Sequence, residues 1–256
     1  TEALRLFYHR KTLKNEQKSI NLVIEIVRFN PLEENMNRDT VYSASQPSVL
    51  ETNKVLRNTY MLLAMTMLFS AVCAGIAMMV GIGPIASIAM TIGAFVMLFV
   101  VNSKADKASG LFWIFAFTGL MGGSLGYILN FYVGLAGGPF IIMQALGATA
   151  LVFFALSAYV LTTKKDFSFL GGFLMVGLVV VIVAALANIF FAVPAVSMAI
   201  SSAIVFIMSG LILFDTSRII HGGETNYIRA TVSMYLNIYN LFTSILHLLG
   251  IFGSDD

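Results

Sequence analysis

From residue 58 onward the chain alternates long apolar runs with short breaks. Seven of the runs reach the ~20 residues that a helix needs to cross a bilayer. They cover 59–80, 84–102, 111–133, 139–162, 169–192, 195–214 and 231–252. Proline suits the first turn of a helix, and Gly83-Pro84, Gly138-Pro139 and Pro194 mark three of the breaks. The pattern therefore predicts an all-α membrane domain over 58–256 and places residues 1–57 outside it.

Composition sharpens that division. Lys+Arg number 15 and Asp+Glu 13, only 11% of 256 residues, against a hydrophobic fraction of 58%. A soluble domain carries about 25% charged residues. Sixteen of the 28 charges fall in residues 1–57, which leaves 12 for the other 199 residues. Such a surface needs lipid as its solvent, which argues against a soluble enzyme or a disordered chain. A net charge of +2 offers no basic field for nucleic acid. With one cysteine, Cys73, and three scattered histidines, no disulfide, metal-ligand spacing or cofactor motif is present.

The cations orient the spans. Lys54 and Arg57 precede the first; Lys104 and Lys107 separate the second and third. Lys164 and Lys165 separate the fourth and fifth, and Arg218 and Arg229 the sixth and seventh. The alternate breaks hold no Lys or Arg, and the tail Gly253-Ser254-Asp255-Asp256 is acidic. The positive-inside rule then places the N-terminus in the cytoplasm and the C-terminus outside, which seven crossings satisfy. Residues 1–57 read as a charged, flexible cytoplasmic tail. The first methionine is Met36, so 1–35 is expected to be an over-extended reading frame with translation starting at Met36.

The polar residues within the spans carry the candidate chemistry. Ser233, Asn237, Asn240, Ser244 and His247 recur at spacings of four, three, four and three, which puts them on one face of the last helix. Polar groups in hydrocarbon are costly unless satisfied. This face either lines a central cavity or holds the helix to its neighbours by hydrogen bonds. Asp215 is the one acid that could lie at membrane depth. It could pair with Arg218 at i+3 as a helix-end charge, or act as an ion- or proton-sensitive group at an inner mouth. Gly122-Gly123-Ser124-Leu125-Gly126 matches G-x-S-x-G, with His247 as a conceivable base. It sits mid-helix, however, and Gly119/Gly123 and Gly122/Gly126 serve equally as close-packing G-x-x-x-G pairs. Gln144 and Asn188 read as interhelical contacts. Trp113, Tyr60, Tyr127, Tyr132 and Tyr159 read as interfacial anchors.

Three stretches carry a resemblance: Lys54 to Tyr60 (KVLRNTY), Ala158 to Gly172 (AYVLTTKKDFSFLGG) and Leu213 to Thr231 (LFDTSRIIHGGETNYIRAT). Together they resemble the Bax inhibitor-1, or transmembrane Bax inhibitor motif, family, over about residues 50–253. The resemblance implies seven helices with the last central among the other six, and for a bacterial chain the inner membrane. It also implies association with the membrane-anchored ATP-dependent protease FtsH and its accessory membrane proteins. The chain would be both a slow substrate and a modulator of that protease, engaged by the tail before Lys54, and not itself an enzyme. Other members are pH-sensitive calcium leak channels whose sensor is a pair of aspartates. Asp215 matches the first, but Asn237 stands at the second and cannot share a proton with it. Lys107 lies near the position of a basic residue able to latch the acid. The alternative to the modulator is thus a calcium or proton leak channel with an incomplete sensor.

Overall fold

The computed structural model describes Lys18 and residues 49–252. The tail before residue 49, with Met36 and all of the expected handle before Lys54 except residues 49–53, lies almost wholly outside the described residues, as does the acidic C-terminus. Seven helices follow in order: α1 Val49–Val80, α2 Pro84–Lys104, α3 Gly110–Val133, α4 Gly138–Thr163, α5 Leu170–Phe191, α6 Pro194–Ile220 and α7 Tyr227–Phe252. All seven are long and apolar enough to span a bilayer, and no strand occurs among the described residues.

Two boundaries differ from the hydropathy reading. α1 starts ten residues before the apolar run, so Lys54 and Arg57 stand on helix and not in a flexible tail. Val55 and Leu56 pack against the core and give this polar turn a reason to stay helical. α6 runs on to Ile220, which puts Asp215 inside the helix instead of at its end. Hydropathy registers the lipid-facing part of a helix, whereas the backbone hydrogen-bond ladder continues through charged residues. Proline opens α2 and α6 and stands second in α4, where its missing N–H costs nothing.

α7 is the core of the bundle. Met234, Leu241 and Leu246 have no exposed surface, and Tyr235 is 1% exposed. The helix packs against α1, α2, α3, α4 and α6. The sixth neighbour implied by the resemblance stands farther off: among the described residues, Cα atoms of α5 come within 8 Å of those of α6 alone. Small residues decide this pairing, since Gly171 faces Phe214 and Gly210 faces Leu174. The remaining faces of α5, with Phe173, Val176, Val180 and Val183, are exposed. So large an apolar surface is a liability in water and a fit in lipid.

The paired glycines of α3 act as close-packing residues. A Cβ on Gly122 would collide with the backbone carbonyl of Ser70, and one on Gly126 would lie 2.5 Å from Ala77 Cβ. Here α1 and α3 approach as closely as their backbones permit. Asn130 Nδ2 then donates to Met78 O (3.0 Å) across the same pair. Gln144, expected at an interhelical contact, is exposed. Asn188 closes the α5–α6 turn, accepting from Val193 N at 3.1 Å and donating to Ser197 Oγ at 3.4 Å.

Candidate functional site

Asp215 lies on α6 a turn and a half before the helix ends, and it is 6% exposed. Its Oδ2 accepts from Ser233 Oγ (2.5 Å) and Asn237 Nδ2 (2.7 Å), both on α7. These two donors stand four residues apart, so one α7 face delivers both to the same oxygen. The pair with Arg218 that i+3 spacing allows is not formed. The Arg218 guanidinium turns outward, donates to Gly223 O (3.2 Å), pairs with Glu224 (3.6 Å) and covers the Phe214 ring. Among the described residues Asp215 has no ion pair. A buried charge without a counter-ion depends on its hydrogen bonds, and here neutral donors supply them.

The rest of the polar stripe follows the same logic. His247 Nδ1 is 2.8 Å from Ser201 Oγ, again on α6. Asn240 donates to Leu236 O of its own helix (2.8 Å), and Ser244 is buried. The stripe therefore meets α6 at both ends, as interhelical hydrogen bonding requires. None of its residues lines the apolar cavity of the bundle that lies between α1, α3, α4 and α7. Nor do Ser124 and His247 come together. Ser124 Oγ donates to Met121 O (2.8 Å) and lies 3.4 Å from Tyr239 Oη, while His247 is held by Ser201.

The loops at the basic end of the bundle are tied down by residues that spacing alone did not single out. Asn226 caps α7, accepting from Ile228 N (2.9 Å) and Arg229 N (3.1 Å). Its amide donates to Ala105 O (3.0 Å) and Asp106 Oδ1 (2.8 Å), and Arg229 pairs with Asp106 at 2.6 Å. The start of α7 is thereby fastened to the α2–α3 loop. Asparagine just before an apolar run is a helix-cap signal, so this hub was detectable. Lys107, the expected latch, lines a recess at this rim with Asp106 and Asn226 and makes no ion pair with Asp215.

Ser217 fastens the α4–α5 loop in the same way, its Oγ accepting from Phe167 N (2.9 Å). Beside it, hydrogen bonds from Ser168 hold the exposed Asp166 carboxyl below the usual carboxylate range. Among the described residues no group of three or more His, Cys, Asp or Glu could hold a metal ion.

The family described as inhibitor of apoptosis-promoting Bax1 matches residues 52–254, all of this bundle but the first three residues of α1. The chain belongs to the Bax inhibitor-1 family. Among relatives, an uncharacterized membrane protein of Vibrio cholerae is 56% identical over 215 residues, covering 84% of this chain and 96% of that protein. The modulator of FtsH protease YccA of Escherichia coli K12 is 51% identical over 221 residues, 86% of this chain and all of that one. A second E. coli strain has the same match under the name inner membrane protein YccA. With seven spans and this likeness, the Bax inhibitor-1 member described here is a multi-pass protein of the inner membrane.

Within the family frame the Asp215–Asn237 contact gains meaning. A second carboxylate at this position would face Asp215 and need a shared proton to approach it. The amide of Asn237 supplies an N–H donor at any pH, so the contact here needs no shared proton.

Proposed function

We propose that this chain binds and modulates an FtsH-type protease in the inner membrane and is itself slowly degraded by it. The observation that carries the reading is the 51% identity across the full length of a relative named modulator of FtsH protease. The geometry supports it. The polar stripe of α7 makes interhelical hydrogen bonds to α6 and stands off the apolar cavity, as packing contacts do and a conduction path would not. In this reading the basic end and the N-terminus lie in the cytoplasm, residues 36–53 are the handle, and the chain is not an enzyme. Tagged full-length protein, purified from membranes in mild detergent, tests the proposal. Mass spectrometry should recover FtsH and its accessory membrane proteins well above an untagged control; recovery at control level overturns it.

A calcium or proton leak is the second reading. Its support is Asp215, an acid buried near the basic end without a salt bridge, which at membrane depth is a functional candidate by default. Asn237 weighs against it, because an amide cannot replace the second member of a proton-sharing pair. In calcium-loaded liposomes the leak reading requires flux that changes in Asp215→Asn, whereas the modulator reading expects none at any pH.

A further inference from the structure

An apolar cavity in the bundle has a volume of about 500 Å³ and lies on the side of α7 away from the Asp215 cluster. Its position follows from how α1 and α4 diverge. Both pack on α7, yet no Cα of one comes within 8 Å of a Cα of the other. Ala64, Ala71 and Gly75 on α1 and Ala150 on α4 leave the gap unfilled, and a Cβ built on Gly75 would meet nothing within 4 Å. At the basic end the gap narrows where the rings of Tyr60 and Phe153 stand 6.0 Å apart. Phe154 and Leu146, both mostly exposed, stand on its α4 wall, which opens toward the bilayer.

The lining determines what can occupy it. No charged residue is present, and its polar groups already have partners. Ser70 Oγ and Tyr235 Oη are 2.6 Å apart, Thr149 donates to Ala145 O (2.7 Å), and Tyr239 lies 3.4 Å from Ser124. A cavity of this kind does not hold water, and left empty it would forfeit the dispersion contacts of its whole wall. A polar solute would find nothing to bind.

Shape then separates two apolar occupants. The groove extends from Tyr60 to Met78 on α1 and from Ile142 to Phe154 on α4. At 1.5 Å per residue these are about 27 Å and about 18 Å. Dividing the volume open to the centre of a water by those lengths, and restoring its ~1.4 Å radius at the walls, gives a cross-section of roughly 45–60 Å². A helix 10–12 Å across needs roughly 80–110 Å². The groove is therefore too narrow for a partner helix and wide enough to admit an extended hydrocarbon chain.

We propose that the α1–α4 groove holds one acyl chain of a membrane phospholipid, entering sideways from the bilayer and resting on Ile238 and Phe242 of α7. The test uses full-length protein in phospholipid vesicles doped with a phosphatidylethanolamine that carries a diazirine in its acyl chain. After illumination, labelled residues are mapped by mass spectrometry. Labelling should concentrate on the groove walls around Ala71, Gly75 and Ala150, well above the outer face of α5, which meets lipid without a groove. Filling the groove from either side, with Gly75→Phe or Ala150→Phe, should lower labelling of the opposite wall about tenfold. Val179→Phe on the outer face of α5 should leave it unchanged. The proposal is overturned if groove labelling is no denser than on α5. It is also overturned if both filled variants, eluting as the wild type does, label normally, or if the groove cross-links to a polypeptide instead. Should the variants misfold, the wild-type ratio of groove to α5 labelling still decides.

Discussion

Replacing Asn237 by leucine removes one of the two donors to Asp215 while keeping the same branched heavy-atom skeleton, so the change removes a hydrogen bond without opening a cavity. Both residues are buried, Asn237 at 4% and Asp215 at 6% exposure, and the bond is short at 2.7 Å. Interhelical hydrogen bonds in membranes average about 0.6 kcal/mol and reach about 1.7. Bonds to charged groups run to about 1.5–3 kcal/mol in soluble proteins. This site, short and buried, belongs near the overlap, at about 1.5 kcal/mol for Asn237→Leu. Asp215→Leu should cost a similar amount, because it strands the donors of Ser233 and Asn237. The double variant should cost clearly less than the sum, since replacing both partners by apolar groups removes the mismatch. The assay is reversible unfolding from mixed micelles by increasing SDS, followed through Trp113, the single tryptophan. Additivity of the two singles within about 0.3–0.5 kcal/mol would refute the contact as drawn.

Further expectations follow from other parts of the bundle. Gly122→Leu should destabilise the bundle by about 2 kcal/mol or more in the same assay, because its Cβ meets the Ser70 backbone; Gly75→Ala, facing open space, should be nearly neutral, and equal effects would contradict the α1–α3 packing. Asn226→Ala removes the cap of α7 and two ties to the α2–α3 loop, so about 1–2 kcal/mol should be lost; unchanged stability and unchanged hydrogen exchange at Ile228 would count against the hub. The Asp166 carboxyl is held below the usual range by Ser168, so the stability it contributes is present above that range and lost as pH falls through its lowered value. The acid limb of the unfolding midpoint, followed from pH 6 to pH 3, should thus be shallower in Asp166→Asn, and superimposable limbs would refute it. Deleting residues 36–53 should lengthen the half-life of the protein in a pulse-chase, and an unchanged half-life would remove the tail as the handle.

Much of this architecture is visible in the sequence, for a physical reason: crossing a bilayer demands about 20 apolar residues, and the chain meets that demand seven times. What hydropathy misses is helix that continues past the end of an apolar run, as at 49–58 and at 215–220. The polar stripe of α7 was legible from spacing, because polar residues are rare enough in a span to form a pattern. Its partners were legible only in part. The family likeness sets Asn237 opposite Asp215, as the structure does, but nothing in the α7 spacing says that Ser233 joins them, or that His247 meets Ser201 instead of Ser124, since those contacts depend on the rotation of α6. The α1–α4 groove is hidden for the opposite reason. Alanine, glycine and phenylalanine read alike whether they face lipid, a neighbouring helix or an open gap. The central position of α7 was implied by family likeness and agrees with its burial, yet the greater distance of α5 from α7 was signalled by neither.

The central claim is that the protein modulates a membrane protease, and reconstitution tests it most directly. FtsH, a membrane substrate and the purified full-length chain are combined in one set of vesicles, and substrate loss is followed with time. The account predicts that adding the chain slows loss of the substrate in a concentration-dependent way while the chain itself is degraded more slowly. Substrate loss at an unchanged rate at every concentration, with the chain left intact, would contradict it.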